Sequence, residues 1–220
     1  MPRKNVLDVF EDFPKTSASL TFRHLCLLIP PIRPRPYSIC SSYESDRERI
    51  SLLITEVEYE TNLRRRKIYG SCSTYLRSLL AGAEILVKID TTTFDFKQIS
   101  ANHNLLLVAC GSAISPFLAY LSHLEHLLTC GLNSHASDVE KPIEYDIPGS
   151  IKMYFGCRYL IEDNFILNTF EMLQSRGILE VFLCPSREAE MIYVQNKIKQ
   201  HSTSLQSFLC GKQSHIFIAG

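Results

Sequence analysis

The sequence predicts a mostly β unit with helical additions, followed by an α/β domain built on a parallel sheet. Three observations carry this. Apolar residues alternate with period two through RISLLITEVEYET at 49–61, the pattern of a strand with one covered face. After Asn104 the pattern changes, and short apolar runs alternate with segments long enough for helices. That order means parallel strands joined by crossover helices on both faces of a sheet. No internal repeat or low-complexity tract competes with this reading.

Each element follows from its own residues. Residues 1–27 read as helical with a break at Pro14: VLDVFEDF, then SLTFRHLCLLI. PPIRPRP at 30–36 is stiff and extended, and its proline spacing also suits an SH3-type ligand. The strand at 49–61 leads to a basic turn, Arg64 to Lys67, and CSTYLRSLLAG at 72–82 is a short helix ending at Gly82. EILVKID at 84–90 is a further strand. In the second half, strand 105–109 enters helix 114–128, and a polar loop fills 129–149. Strand 151–155, helix 164–175, strand 178–184, helices 188–200 and 203–210 and strand 215–219 follow. Gly220 comes directly after the apolar run HIFIA. A parallel strand ordinarily leads into another element, so a truncated chain is expected.

Bulk properties narrow the function classes. The 220 residues suffice for one large or two small domains. Hydrophobic residues make up 45% and charged residues 21%, as in soluble globular proteins. The 23 basic residues balance 23 acidic ones, so no field favours nucleic acid or an anionic membrane as partner. Asp8, Glu11 and Asp12 interrupt the N-terminus, which therefore does not read as a signal peptide. The longest apolar stretch, Leu105 to Leu121, is broken by Gly111, Ser112, Ser115 and Pro116. It reads as strand, turn and helix rather than a membrane span. Eight cysteines without a CxxC pair suit reduced thiols in a cytoplasmic protein.

The stretch LVACGSAISPF at 107–117 concentrates the functional signal. A strand, a small-residue turn and a helix N-terminus expose backbone N–H groups at a positive dipole end, which suits a phosphate. The same turn also serves where a helix merely packs close on a strand. GSCS at 70–73 repeats the theme before helix 72–82. Gly70, Ser71, Cys72 and Ser73 can bring donors to a diphosphate, and Ser71 or Ser73 can cap the helix. In RPYS at 35–38, Arg35 is a fork of donors for a pyrophosphate. Pro36 stiffens the run, Tyr37 offers a flat face for an aromatic ring system, and Ser38 offers a hydroxyl. His123 and His126 have helical i, i+3 spacing but no third ligand nearby, so no metal site is assigned.

The order RPYS, GSCS, ACGSAISPF and FGCR resembles the ferredoxin–NADP reductase superfamily, in its diflavin branch with cytochrome P450 reductase. VLDVFEDFP, IRPRPYSICSS, EVEYETNLRRRKIYGSCSTYL, FGCRYLIEDN, PSREAEMIYVQNKI and HIFIAG carry the resemblance over nearly the whole chain. It implies the end of a helical connecting segment at 1–27. A partial FAD-binding antiparallel β-barrel follows at 28–100, then an NADP-binding α/β domain at 101–220 whose C-terminal end is missing. The implied cofactors are FAD and NADPH, with FMN held by a further domain in the full-length family protein.

The resemblance also assigns residues. Arg35, Pro36, Tyr37, Ser38, Gly70, Ser71, Cys72 and Ser73 would hold FAD, with Ser38 at flavin N5. Ser112 would keep the hydroxyl of a GPGTGxAPF pattern. Ala109, Cys110, Ala113 and Ser115 depart from that pattern, and the Cβ of Ala113 stands where a dinucleotide should approach. Ser186 and Arg187 would grip the adenosine 2′-phosphate, with Met191, Ile192, Tyr193, Val194 and Gln195 beside it. Relatives usually carry a basic residue in place of Met191. Tyr193 reads equally as a helix residue packing on the sheet. Cys157 would wall the nicotinamide site, and Arg158 would pair with Glu162 or Asp163. The implied function passes hydride from NADPH to FAD and electrons through FMN to an acceptor protein, such as an anamorsin-like iron–sulfur protein. The alternative is a catalytically incomplete fragment acting as an interaction protein.

Overall fold

The computed structural model describes residues 4–61, 66–91, 94–96, 98–130, 147–159 and 164–220. Most of the expected polar loop, Arg64 and Arg65 of the basic turn, and Glu162 and Asp163 lie outside the described residues. The chain divides into two compact units, Met1–Pro36 with Thr55–Ile85, and Tyr37–Ile54 with Leu86–Gly220.

The first unit opens with three short helices, α1 (Val6–Asp12), α2 (Pro14–Ala18) and α3 (Phe22–Leu28). Asn5 and Asp8 form a reciprocal capping box on α1, which satisfies two N–H groups that the helix leaves open. Pro14 starts α2 where its missing N–H costs nothing. Two strands follow, β1 (Glu58–Glu60) and β2 (Lys67–Tyr69), paired antiparallel with Tyr59 opposite Ile68. Helix α4 (Ser71–Ser78) completes the unit. Arg66 reaches the buried Asp8 carboxylate at 3.4 Å.

In the second unit the expected α/β alternation is present. Its elements are β3 (Asn104–Cys110), α5 (Ser115–Cys130), β4 (Ser150–Cys157), α6 (Asn164–Ser175), β5 (Leu179–Pro185), α7 (Val194–Gln200), α8 (Ser202–Cys210) and β6 (Ser214–Ala219). A 3₁₀ turn, Gly111–Ile114, joins β3 to α5. The sheet order is β5-β4-β3-β6, with all neighbours parallel. Alternating residues of each strand face two separate cores, as the pleat dictates. Leu105, Leu107, Ala109, Ile151, Met153 and Phe155 pack with Phe117, Leu121, Phe170 and Leu173 on one face. Leu106, Val108, Tyr154 and Cys184 pack with Val194 and Leu205 on the other. Each fully buried aliphatic or aromatic side chain contributes about 1.5–3 kcal/mol.

The barrel is not confirmed. Of the predicted strand 49–61, only Glu58–Glu60 is regular, with an isolated antiparallel bridge from Leu52 to Ile39. Residues 84–90 form no strand and are exposed throughout. Alternation marks which face of a strand can be covered, but a ladder needs a partner, and none lies against 84–90 among the described residues. Helix α7 begins at Val194 rather than 188. PSREAEMIY runs instead as a loop tied by Ile192 N–H to Pro185 C=O at 3.1 Å.

Candidate functional site

The chain steps from β3 to β4 to β5 in one direction, then crosses back to place β6 on the other side of β3. The strand order therefore switches between β3 and β6, and their carboxyl ends border the kind of crevice where ligands bind in such sheets. Cys110 ends β3 at this point, in register with Gly156, which is in register with Cys184 on β5.

Gly111 has φ +57°, the left-handed region that favours glycine. A Cβ added there would meet nothing within 4 Å, so the space before the turn is open. Ser115 Oγ donates to Ser112 C=O at 2.7 Å, fixing the turn from behind, and Ser112 is half-buried. The small residues thus hold a turn whose backbone N–H groups from Gly111 to Ala113 sit at the start of a sixteen-residue helix, with Cys110 and Gly111 exposed and Ser115 and Phe117 buried. An anionic diphosphate fits this donor set.

The end of β5 is fastened to β4. Ser186 N–H and Oγ both donate to Cys157 C=O, at 2.9 and 3.1 Å, and Arg187 N–H donates to Arg158 C=O at 2.8 Å. Arg187 is exposed, and its guanidinium has no partner among the described residues. Two backbone bonds therefore hold out an exposed fork of donors, suited to a dianion. The Ser186 hydroxyl is engaged with the neighbouring strand, so it supports Arg187 in this structure. Met191 and Tyr193 are 69% and 47% exposed, Gln195 is exposed, Ile192 is half-buried, and Val194 is buried.

Gly156 is the contact that the sequence reading missed. A Cβ there would lie 2.8 Å from Val194 Cγ2 and 3.1 Å from Cys110 Sγ. A glycine inside a strand signals such close approach, and FGCR contains one. Cys157 is half-buried; burial first, and the Glu188 charge second, push its thiol up. Burial pushes the Cys184 thiol to about 11, partly opposed by Lys197. Neither is an activated nucleophile.

The flavin-side residues fall in different units. Arg35 and Pro36 belong to the first and are exposed; Tyr37, half-buried, and Ser38, exposed, belong to the second. Arg35 Nη1 donates to Arg33 C=O at 3.0 Å. Gly70 is the N-cap of α4, correcting Ser71 and Ser73, and no side chain caps that helix. Ser73 Oγ is buried between Val57 N–H and Gly70 C=O, both at 3.2 Å. A Cβ at Gly70 would come within 2.7 Å of Ser73 Oγ and Val57 Cβ. The glycine thus lets the chain pass close, while the Ser73 hydroxyl is spent on the fold. Ser71 stays exposed and Cys72 half-buried.

His123 is buried and His126 only partly so, so the pair presents no common exposed face. Burial lowers the His123 pKa against the pull of Glu44. Among the described residues no group of three His, Cys, Asp or Glu side chains can hold a metal ion, and no helix is long and apolar enough to cross a membrane.

Comparison with known proteins reaches both halves of the chain. The family model for the FAD binding domain matches residues 2–75. The NADPH-dependent diflavin oxidoreductase 1 of Xenopus laevis is 33% identical over the whole chain. Over its whole length the chain is similar to diflavin oxidoreductases. The Bos taurus protein of the same name is 28% identical over the whole chain, which covers 34% of it and of the Xenopus protein alike. A nitric oxide synthase of Bombyx mori is 29% identical over 98% of the chain, which covers 17% of that protein. The chain spans about a third of the length of the diflavin oxidoreductases it matches.

Proposed function

We propose that this chain is the FAD- and NADPH-binding part of a diflavin oxidoreductase. The observation that carries the reading is the open left-handed turn at Gly111 after β3 together with the exposed Arg187 after β5, both at the carboxyl ends of one parallel sheet. The domain organisation follows the family: the end of a connecting segment at 1–27, flavin-binding residues within 28–100, and a nucleotide-binding domain at 101–220.

When bound, the nicotinamide and flavin cofactors supply the hydride and electron chemistry. The residues of this chain bind and orient. N–H groups of the Gly111–Ala113 turn and the Ser112 hydroxyl receive the dinucleotide diphosphate. Arg187 binds the 2′-phosphate, with Ser186 holding the loop in place. Tyr193 packs against the adenine, with Ile192 and Val194 beneath it and Gln195 and Met191 at the rim. On the flavin side Arg35 and the Gly70–Ser73 helix start receive the diphosphate, Tyr37 stacks on the ring system, and Ser38 offers a hydrogen bond at N5. Cys157, with its proton retained, acts as a wall. In a full-length protein an FMN-binding domain would carry the electrons on to an acceptor protein of the anamorsin-like iron–sulfur kind, in the cytoplasm.

The test is titration of the purified chain with NADPH and NADH, alongside the visible spectrum after incubation with FAD. Tighter binding of NADPH and retained flavin absorbance support the reading. Equal affinities overturn the 2′-phosphate assignment. A second reading, a non-catalytic interaction protein, draws support from the exposed apolar residues Leu80, Leu86, Val87 and Ile89. A colourless chain that binds neither cofactor decides for it.

A further inference from the structure

On the sheet face opposite α5 and α6, three consecutive layers connect strand residues to the last two helices. Nearest the ligand edge, Val194 lies on Gly156. One layer down, the Tyr154 hydroxyl meets His201 Nδ1 at 2.8 Å. Below that, Lys152 pairs with Glu180 and lies 5.3 Å from the centre of the Phe208 ring. Tyr154 is fully buried and stacks on Phe182 at 4.6 Å, while Phe182 meets the His201 ring edge-on at 4.6 Å. His201 is the C-cap of α7 and the N-cap of α8. Helix α7 is therefore held at both ends, at Val194 and at His201, about 10 Å apart along its axis.

The first contact is apolar and fixes distance. The second is directional and fixes rotation. A helix free to turn about its own axis would carry Tyr193 and Gln195, at its start, away from the ligand edge.

We propose that Tyr154 and His201 are positioning residues that set the nucleotide-recognition segment Tyr193–Gln195 through the rotation of α7, and thereby the affinity for the 2′-phosphorylated adenosine half of the dinucleotide. This rests on the reading of the site given above. The buried phenol keeps its proton, its pKa raised to about 12 chiefly by burial. Its hydroxyl and His201 Nδ1 share one directional hydrogen bond, whose donor and acceptor follow from the imidazole tautomer. The occupant affected is the adenosine end alone, since neither side chain lies at the flavin motifs.

The experiment uses the full chain and three variants, Tyr154→Phe, His201→Leu and His201→Asn. The probes are 2′,5′-ADP titration, thermal midpoint, and backbone amide shifts of Tyr193, Val194 and Gln195. Tyr154→Phe and His201→Leu should weaken 2′,5′-ADP roughly five- to tenfold, the effect of one lost directional bond. Both should shift the three amides. His201→Asn retains an acceptor near the Nδ1 position, so it should restore affinity within roughly twofold and leave the amides near their original shifts. A purely structural role would lower the midpoint in every variant while leaving the amides in place, and that result overturns the proposal. If the unmodified chain does not bind 2′,5′-ADP, the site reading fails, and the amide shifts alone decide whether the pair sets α7.

Discussion

Val194 lies so close over Gly156 that a methyl group on the glycine would come 2.8 Å from Val194 Cγ2. Valine has little rotamer freedom with which to retreat, and Cys110 Sγ closes the other side at 3.1 Å. Gly156→Ala should destabilise the second unit by about 1–3 kcal/mol and lift the start of α7. Urea midpoints measure the loss. Adding Val194→Ala should recover part of it. If the double variant is as unstable as the sum of its parts, this contact is not the cause.

Arg187 is held by its own backbone, through Arg187 N–H to Arg158 C=O, and its side chain is left to solvent. Arg187→Ala should leave stability nearly unchanged and cost about 1.5–3 kcal/mol in NADPH binding, the range for hydrogen bonds to a charged group. NADH binding should change little. Calorimetric titration of both nucleotides provides the comparison, and an equal loss for the two would show that Arg187 does not meet the 2′-phosphate.

The sheet domain was legible because buried parallel strands are written as apolar runs. LLLVA, IKMYF and LEVFL each sit within a strand, and the helices between them kept their helical spacing. The N-terminal half was less legible. RISLLITEVEYET and EILVKID alternate well, but alternation does not reveal what lies across the ladder: among the described residues only Glu58–Glu60 of the first segment lies in a named strand, and none of the second does. At GSCS, the serines drew attention as caps, yet the structure uses Ser73 to bind Val57 and leaves the cap to Gly70. The Tyr154–His201 and Gly156–Val194 contacts span long sequence separations, and no local period encodes them. Only the glycine in FGCR hinted at one.

Met191 is 69% exposed at the rim of the same loop, where the family resemblance implies a cation. Met191→Lys should tighten NADPH by about 0.5–1 kcal/mol at low salt, a modest gain because solvent screens an exposed pair. The gain should shrink as salt is raised and should be absent for NADH. Titration at two ionic strengths tests it. No change for NADPH at low salt would place Met191 away from the phosphate.

Tyr154 makes the stability of the fold sensitive to alkali. Its hydroxyl is raised to about 12 in the folded chain, chiefly by burial and further by Glu180, against about 10 when unfolded. Between those values the unfolded chain releases this proton and the folded chain keeps it. Stability therefore falls as pH rises from about 10 through 12, and it is unaffected by this group below about 10. The full loss amounts to about 2–3 kcal/mol. Other groups also titrate in that window, so the decisive quantity is the difference from Tyr154→Phe, which lacks the ionisation. The variant should start less stable near pH 8, having lost the bond to His201, and the gap should narrow as pH rises. Urea midpoints at intervals from pH 8 to the alkaline limit of folding measure it, and a gap that stays constant would mean the phenol is not shielded from solvent in the folded chain.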